Sequence, residues 1–128
     1  VDPSLRPGHF DAIENGISVV NLIGRTSLPE TAAVISTAAL MICNDSMVLH
    51  LASAFKVPTV VVFCSTSPKF GFGPWQNRAR IVEKTDLACK PCGRHGFHSC
   101  PTGTEACMRE VSAHKVLQAS RDLLLGGA

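Results

Sequence analysis

The chain predicts an α/β fold in which a parallel sheet is flanked by helices. Three observations carry this expectation. Two short apolar runs, Ala39 to Cys43 and Thr59 to Cys64, bracket one apolar helical segment, Val48 to Phe55. The second run holds Val60-Val61-Val62-Phe63 without polar alternation, as a parallel strand covered on both faces requires. A further β-branched run and a capped helix precede them, so the order is strand, helix, strand, helix, strand. That alternation is the Rossmann-like pattern.

Taken in order, Ile17 to Ile23 is rich in β-branched residues and reads as the first strand. Gly24-Arg25-Thr26 is a turn. Ser27-Leu28-Pro29-Glu30 has capping-box spacing: Ser27 can accept from the N3 amide, and Glu30 can reach back to the N-cap amide. Pro29 is tolerated there because a first-turn amide has no intrahelical partner. The helix runs to about Thr37, with Leu28, Ala32, Ile35 and Ala39 on one face. Leu40 to Cys43 is the second strand. Asp45 or Ser46 caps the next helix, which is apolar nearly all round and therefore buried. Lys56-Val57-Pro58 ends it, and Thr59 to Cys64 is the clearest strand. Ser65 to Asn77 is a Gly/Pro loop, Ala79 to Glu83 a short strand, and a cysteine-rich segment follows. Ser112 to Leu125 closes the chain as an amphipathic helix, with Val116, Leu117, Ser120, Leu123 and Leu124 inward.

A length of 128 residues holds one domain with a core. The net charge of +2 is spread without a basic stripe, which argues against nucleic acid as a partner. Tyr is absent and Trp occurs once, so stacking platforms for bases are scarce. No apolar run approaches the ~20 residues that span a bilayer. The stretch Val1 to Gly16 is polar and weakly patterned, and only three or four strands can be drawn. Residues 1–128 are therefore expected to form a single partial domain of a larger protein. A parallel sheet cut in this way would expose an edge and self-associate.

The residues that carry chemistry cluster at Asn44-Asp45-Ser46-Met47-Val48-Leu49-His50. A polar turn between a buried strand and a helix is where open α/β sheets bind ligands. Asp45 is a helix cap or an acceptor for ligand hydroxyls, and one residue can serve both roles. Ser46 and the amides of Met47 and Val48 stand at a helix N-terminus, which attracts phosphate. His50 is either a half-buried imidazole bonded to a carbonyl or a donor to a diphosphate oxygen. Thr26 ends the preceding strand and would line the same crevice through its backbone. The layout suits a phosphorylated, hydroxyl-rich ligand such as a nucleotide-sugar.

Of six cysteines, Cys43 and Cys64 sit in apolar strands as inert core residues. The others are spaced Cys89-x2-Cys92-x7-Cys100-x6-Cys107. A structural zinc with His95 and His98 as spare ligands, free thiols and disulfides are all open to such a cluster. A thioredoxin-like role for Cys89-Lys-Pro-Cys92 is disfavoured, because no helix begins there.

Five motifs then fall in a recognisable order. They are Thr-Ser-Leu-x-Glu, Asn-Asp-Ser-x-x-x-His-Leu-Ala-x-Ala, Val-Pro-Thr-Val-x-x-x-Phe, Thr-Ser-Pro with Gly-Pro, and Cys-x-Pro-Cys with Cys-Met. Together, from about Val20 to Val116, they resemble the C-terminal domain of the ADP-heptose:lipopolysaccharide heptosyltransferase family. The resemblance implies part of a two-domain GT-B glycosyltransferase, whose C-terminal half holds the donor. The acceptor domain and catalytic base lie in an N-terminal half outside this chain. It implies inverting transfer of heptose from ADP-heptose to the lipopolysaccharide inner core, without a metal in the active site. It further implies a cytoplasmic enzyme, peripheral to the inner membrane, and a fragment inactive on its own.

By the same resemblance Asp45 contacts the donor, the Ser46 amide meets the diphosphate, His50 lies near the phosphates, and Thr26 lies beside the adenine. Two departures stand out. Met47-Val48 replaces the family's Gly-containing pair, and Phe63-Cys64-Ser65 replaces its Phe-Gly-Pro. Gly would let backbone approach phosphate more closely than Met47 does. The alternative reading is a non-catalytic nucleotide-binding or interaction module with a structural cysteine cluster. A receiver-like domain is excluded by the lack of an acidic pair at a first strand and of a late lysine at a strand end.

Overall fold

In the computed structural model, the structure describes Gly16 and residues 19–126. They fall into two units, divided between Val34 and Ile35. The expected polar stretch Val1 to Gly16, apart from Gly16 itself, lies outside the described residues.

In the first unit the expected strand Ile17 to Ile23 is not formed over residues 19–23, and Ile17 and Ser18 lie outside the described residues. The chain instead turns at Ile23-Gly24, closed by the Arg25 amide donating to the Leu22 carbonyl at 3.0 Å. Val20 is 74% exposed. β-branched side chains favour a strand only where a pleated, half-covered surface receives them, and Val20 has none. Helix α1, Leu28–Ser36, begins at the expected place, but only the Glu30 half of the expected capping box is formed, and the Ser27 hydroxyl donates to Glu30 instead of accepting from the N3 amide. The Ser27 amide and hydroxyl both donate to Glu30 Oε2 at 2.7 Å. These bonds to the ionised form hold the Glu30 carboxyl below its ordinary pKa.

The second unit is a three-stranded parallel sheet in the order β1 (Met41–Asn44), β2 (Thr59–Phe63), β3 (Ala79–Glu83). Helix α2 (Met47–Ala54) joins β1 to β2, and α4 (Ala113–Leu124) follows the short α3 (Ala106–Arg109). Side chains of β2 alternate between two cores. Val61 and Phe63 pack with Leu49 of α2, with Cys43 against them. Val60 packs with Val82 and Leu123 on the other face, flanked by Val62, Val116 and Ala119. Both faces of β2 are thus covered, which is why its sequence does not alternate. A third cluster joins Ile35, Ala52 and Val57 and takes in Val48 and Leu51.

Two amphipathic assignments differ from expectation. Leu117 and Leu124 of α4 are exposed, and Val116, Ala119, Ser120 and Leu123 form the inner stripe. On α1, Ile35 is buried while Leu28 and Ala39 are exposed. Ala39 lies beyond the helix end, where the 3.6-residue period no longer applies.

The loop after β2 must return to the opposite end of the sheet to enter β3 in parallel, and Asn77 fastens it there. Its Nδ2 donates to the Val57 carbonyl at 3.0 Å and to the Thr59 hydroxyl at 3.2 Å. Its Oδ1 accepts from the Ser53 hydroxyl, which itself accepts from the Trp75 amide at 3.1 Å. Buried Ser53 and Thr59 are thereby satisfied. Among the described residues no helix is long and apolar enough to cross a membrane.

Candidate functional site

The C-terminal ends of β1 and β2 carry a cleft of about 480 Å³, within the usual range for small-molecule sites. One wall is the turn Asn44-Asp45-Ser46-Met47 with His50 one helical turn further on. The floor is Val62, Cys64, Ser65 and Thr66 at the tip of β2. Phe72 closes the side, and Arg94 with His95 forms the remaining wall.

Asp45 is half-buried, and its Oδ2 accepts from the Thr66 hydroxyl at 2.7 Å. It does not cap α2. The cap position is held by Ser46 in extended conformation, but the Ser46 hydroxyl donates back to the Asn44 carbonyl at 3.3 Å and leaves the helix amides uncapped. The first turn of α2 therefore keeps amides with no side-chain partner at the edge of the cleft. Met47 is 55% exposed and lies along the cleft, where it occupies space beside those amides. The Val48 side chain packs into the core under α2, and the expectation for Val48 concerned its amide alone. Only its backbone remains at the helix end.

His50 lines the cleft from an exposed position, which discards the reading of a half-buried imidazole. Thr26 belongs to the first unit, where its hydroxyl shares a hydrogen bond with the Thr31 hydroxyl at 2.9 Å. Asp45, Ser46, Met47 and His50 are thus brought together.

Sequence reasoning missed Thr66, Phe72, Arg94 and His95. A signal for them exists: loops leaving the C-terminal ends of neighbouring parallel strands converge on one edge. The loop after β3 leaves from that edge, and it carries Arg94 and His95.

The cysteines are regrouped. Cys43 packs against the Leu49 cluster, and burial, with the Asp45 charge beside it, pushes its thiol up to about 11. Cys64 is not part of a core cluster, although burial pushes its thiol up as expected of an unreactive cysteine. It follows the end of β2 and lines both the cleft and a second cavity of about 210 Å³. That second cavity also receives Cys92, Cys100, Cys107 and His98, but not Cys89. All six thiols are free. Among the described residues no three His, Cys, Asp or Glu side chains are arranged to hold a metal ion.

A parallel sheet with a polar cleft at its carboxyl ends and an open helix N-terminus is the layout in which open α/β domains bind ligands. The chain belongs to glycosyltransferase family 9 (heptosyltransferase), which it matches over residues 9–99. It is 36% identical over 112 residues to lipooligosaccharide heptosyltransferase 2 of Campylobacter jejuni, covering 87% of this chain and 34% of that protein. It is 26% identical over 110 residues to lipopolysaccharide heptosyltransferase 2 of Escherichia coli (strain K12), covering 82% and 29%. A solved glycosyl transferase family 9 structure from Veillonella parvula DSM 2008 superposes with a TM-score of 0.62 and 26% identity, over 80% of this chain and 28% of that one. The chain spans about a third of the length of these relatives.

Proposed function

We propose that this chain is the donor-binding portion of a heptosyltransferase that moves heptose from ADP-heptose to the lipopolysaccharide inner core. The observation that carries the reading is the cleft itself. It gathers a carboxylate oriented by Thr66, uncapped helix amides and His50 at the carboxyl ends of two parallel strands. The amides and dipole of α2 suit the diphosphate. Asp45 has an oxygen left to accept from a ligand hydroxyl, and His50 can donate to the departing diphosphate.

Transfer by this reading is inverting and uses no metal in the active site. The acceptor and the base come from the other half of a GT-B enzyme, which works in the cytoplasm beside the inner membrane. Alone, residues 1–128 bind nucleotide and transfer no sugar. Among the described residues β1 is an edge strand with Ile42 exposed, which would support self-association, and sedimentation at several concentrations reads this directly.

Calorimetric titration with ADP, UDP and GDP tests the donor assignment. ADP-selective binding that is lost in Asp45→Ala and weakened in His50→Ala is the expected result. Equal affinity for all three, or binding indifferent to both substitutions, would remove the assignment.

A further inference from the structure

The cysteine-rich segment is pinned to the tip of the sheet at three points. Lys90 Nζ pairs with Glu83 of β3 at 2.6 Å and donates to the Phe63 carbonyl of β2 at 3.1 Å. The Cys92 amide donates to the Ser65 carbonyl at 2.7 Å. Gly96 lies so close to Ser65 that a Cβ there would stand 2.7 Å from its hydroxyl oxygen. Gly96 also has φ of +79°, a conformation that L side chains rarely adopt. Arg94 and His95 fall between the second and third anchors and are therefore presented to the cleft by a fixed stretch of backbone.

Their surroundings leave them available to a ligand. Among the described residues no side-chain hydrogen bond or ion pair engages Arg94. His95 stacks at a tilt on Phe72, ring centroids 5.9 Å apart, which orients its imidazole. The carboxylate lining the cleft, Asp45, accepts from Thr66 through Oδ2 and forms no ion pair with Arg94. The opposite wall holds the amides of α2 and His50, so cationic and N–H donors face one space from two sides.

We propose that Arg94 and His95 form the second anion-binding wall of the cleft and grip the diphosphate of the nucleotide-sugar opposite the α2 N-terminus. This rests on the donor-site reading and deepens it. It also gives the cysteine-rich segment a role, as the support of that wall. Guanidinium is suited to the task because its planar fork bonds two phosphate oxygens at once.

The test is calorimetry of the whole chain with ADP and with adenosine, on the wild type, Arg94→Gln, Arg94→Lys and His95→Ala, with thermal melts as fold controls. Loss of a charge-assisted contact predicts ADP affinity lowered about ten- to hundredfold in Arg94→Gln. Arg94→Lys should retain part of it, His95→Ala should lose less than Arg94→Gln, and adenosine affinity should not change. Wild-type ADP binding that Arg94→Gln leaves intact, or an equal loss for ADP and adenosine, overturns the proposal while sparing the donor site. A folded wild type that binds no ADP overturns both.

Discussion

The Thr66 hydroxyl donates to the Asp45 carboxylate at 2.7 Å and so ties the turn after β1 to the turn after β2. These residues are 21 apart in sequence and meet because the two strands run parallel and in register, Asn44 beside Val62. The bond spares Asp45 an unpaired half-buried charge and fixes the direction of its second oxygen. Thr66→Val is expected to cost about 1.5 kcal/mol in urea denaturation and to weaken ADP binding severalfold. Unchanged stability would show that water replaces the hydroxyl.

Asn77 separates fold from site. Asn77→Ala removes both Nδ2 donations and the acceptor for Ser53, leaving polar atoms in a buried setting. A loss of about 2 kcal/mol is expected, with nucleotide affinity per folded molecule unchanged, since Asn77 works at the far end of the sheet. A fall in affinity at full folding would show that the loop after β2 transmits its anchoring to the cleft.

Lys90 and Glu83 form an ion pair beneath the cysteine-rich loop, with the lysine side chain 6% exposed. Lys90→Met strands the Glu83 carboxylate and should cost about 3 kcal/mol. Lys90→Met combined with Glu83→Gln should recover part of that loss, because no charge is then left unpaired. A double variant as unstable as the sum of the singles would show that the pair has no coupling.

The thiols differ in reactivity. Hydrogen bonds from the Thr102 hydroxyl and the Glu105 amide bring Cys100 down to about 7, whereas burial holds Cys43 at about 11. Thiolate is the reactive form, and its fraction rises as pH climbs through the pKa. Iodoacetamide followed by peptide mass spectrometry should therefore label Cys100 first, with a half-maximal rate near pH 7, and leave Cys43 unlabelled. Protection of Cys92, Cys100 and Cys107 until a chelator is added would instead point to a metal ion bound among them.

Sequence patterns carried the parts of this fold that depend on local chemistry or on full burial. The Glu30 half of the Ser27–Glu30 capping box, the unalternating β2 and the apolar α2 each leave a signature within a few residues. The run at 19–23 failed because β propensity reports a surface to pack on, which Val20 lacks. The near wall of the cleft was legible because Asp45, Ser46, Met47 and His50 all fall within the one short stretch from Asp45 to His50. The far wall was not: Arg94 lies 49 positions from Asp45, and only the parallel topology brings its loop to the same edge. Within the near wall, the choice between Asp45 and Ser46 as helix cap turned on Thr66, a partner that local sequence does not reveal.

In the proposed function, the cleft at the tips of β1 and β2 receives the nucleotide. Amide NMR spectra of the 15N-labelled chain, titrated with ADP and with UDP as control, read this most directly. ADP-selective shifts are expected at Asp45, Ser46, Met47, Ser65, Thr66, Arg94 and His95, with α4 unmoved. Shifts centred elsewhere, or none at saturating ADP in a folded chain, would contradict it.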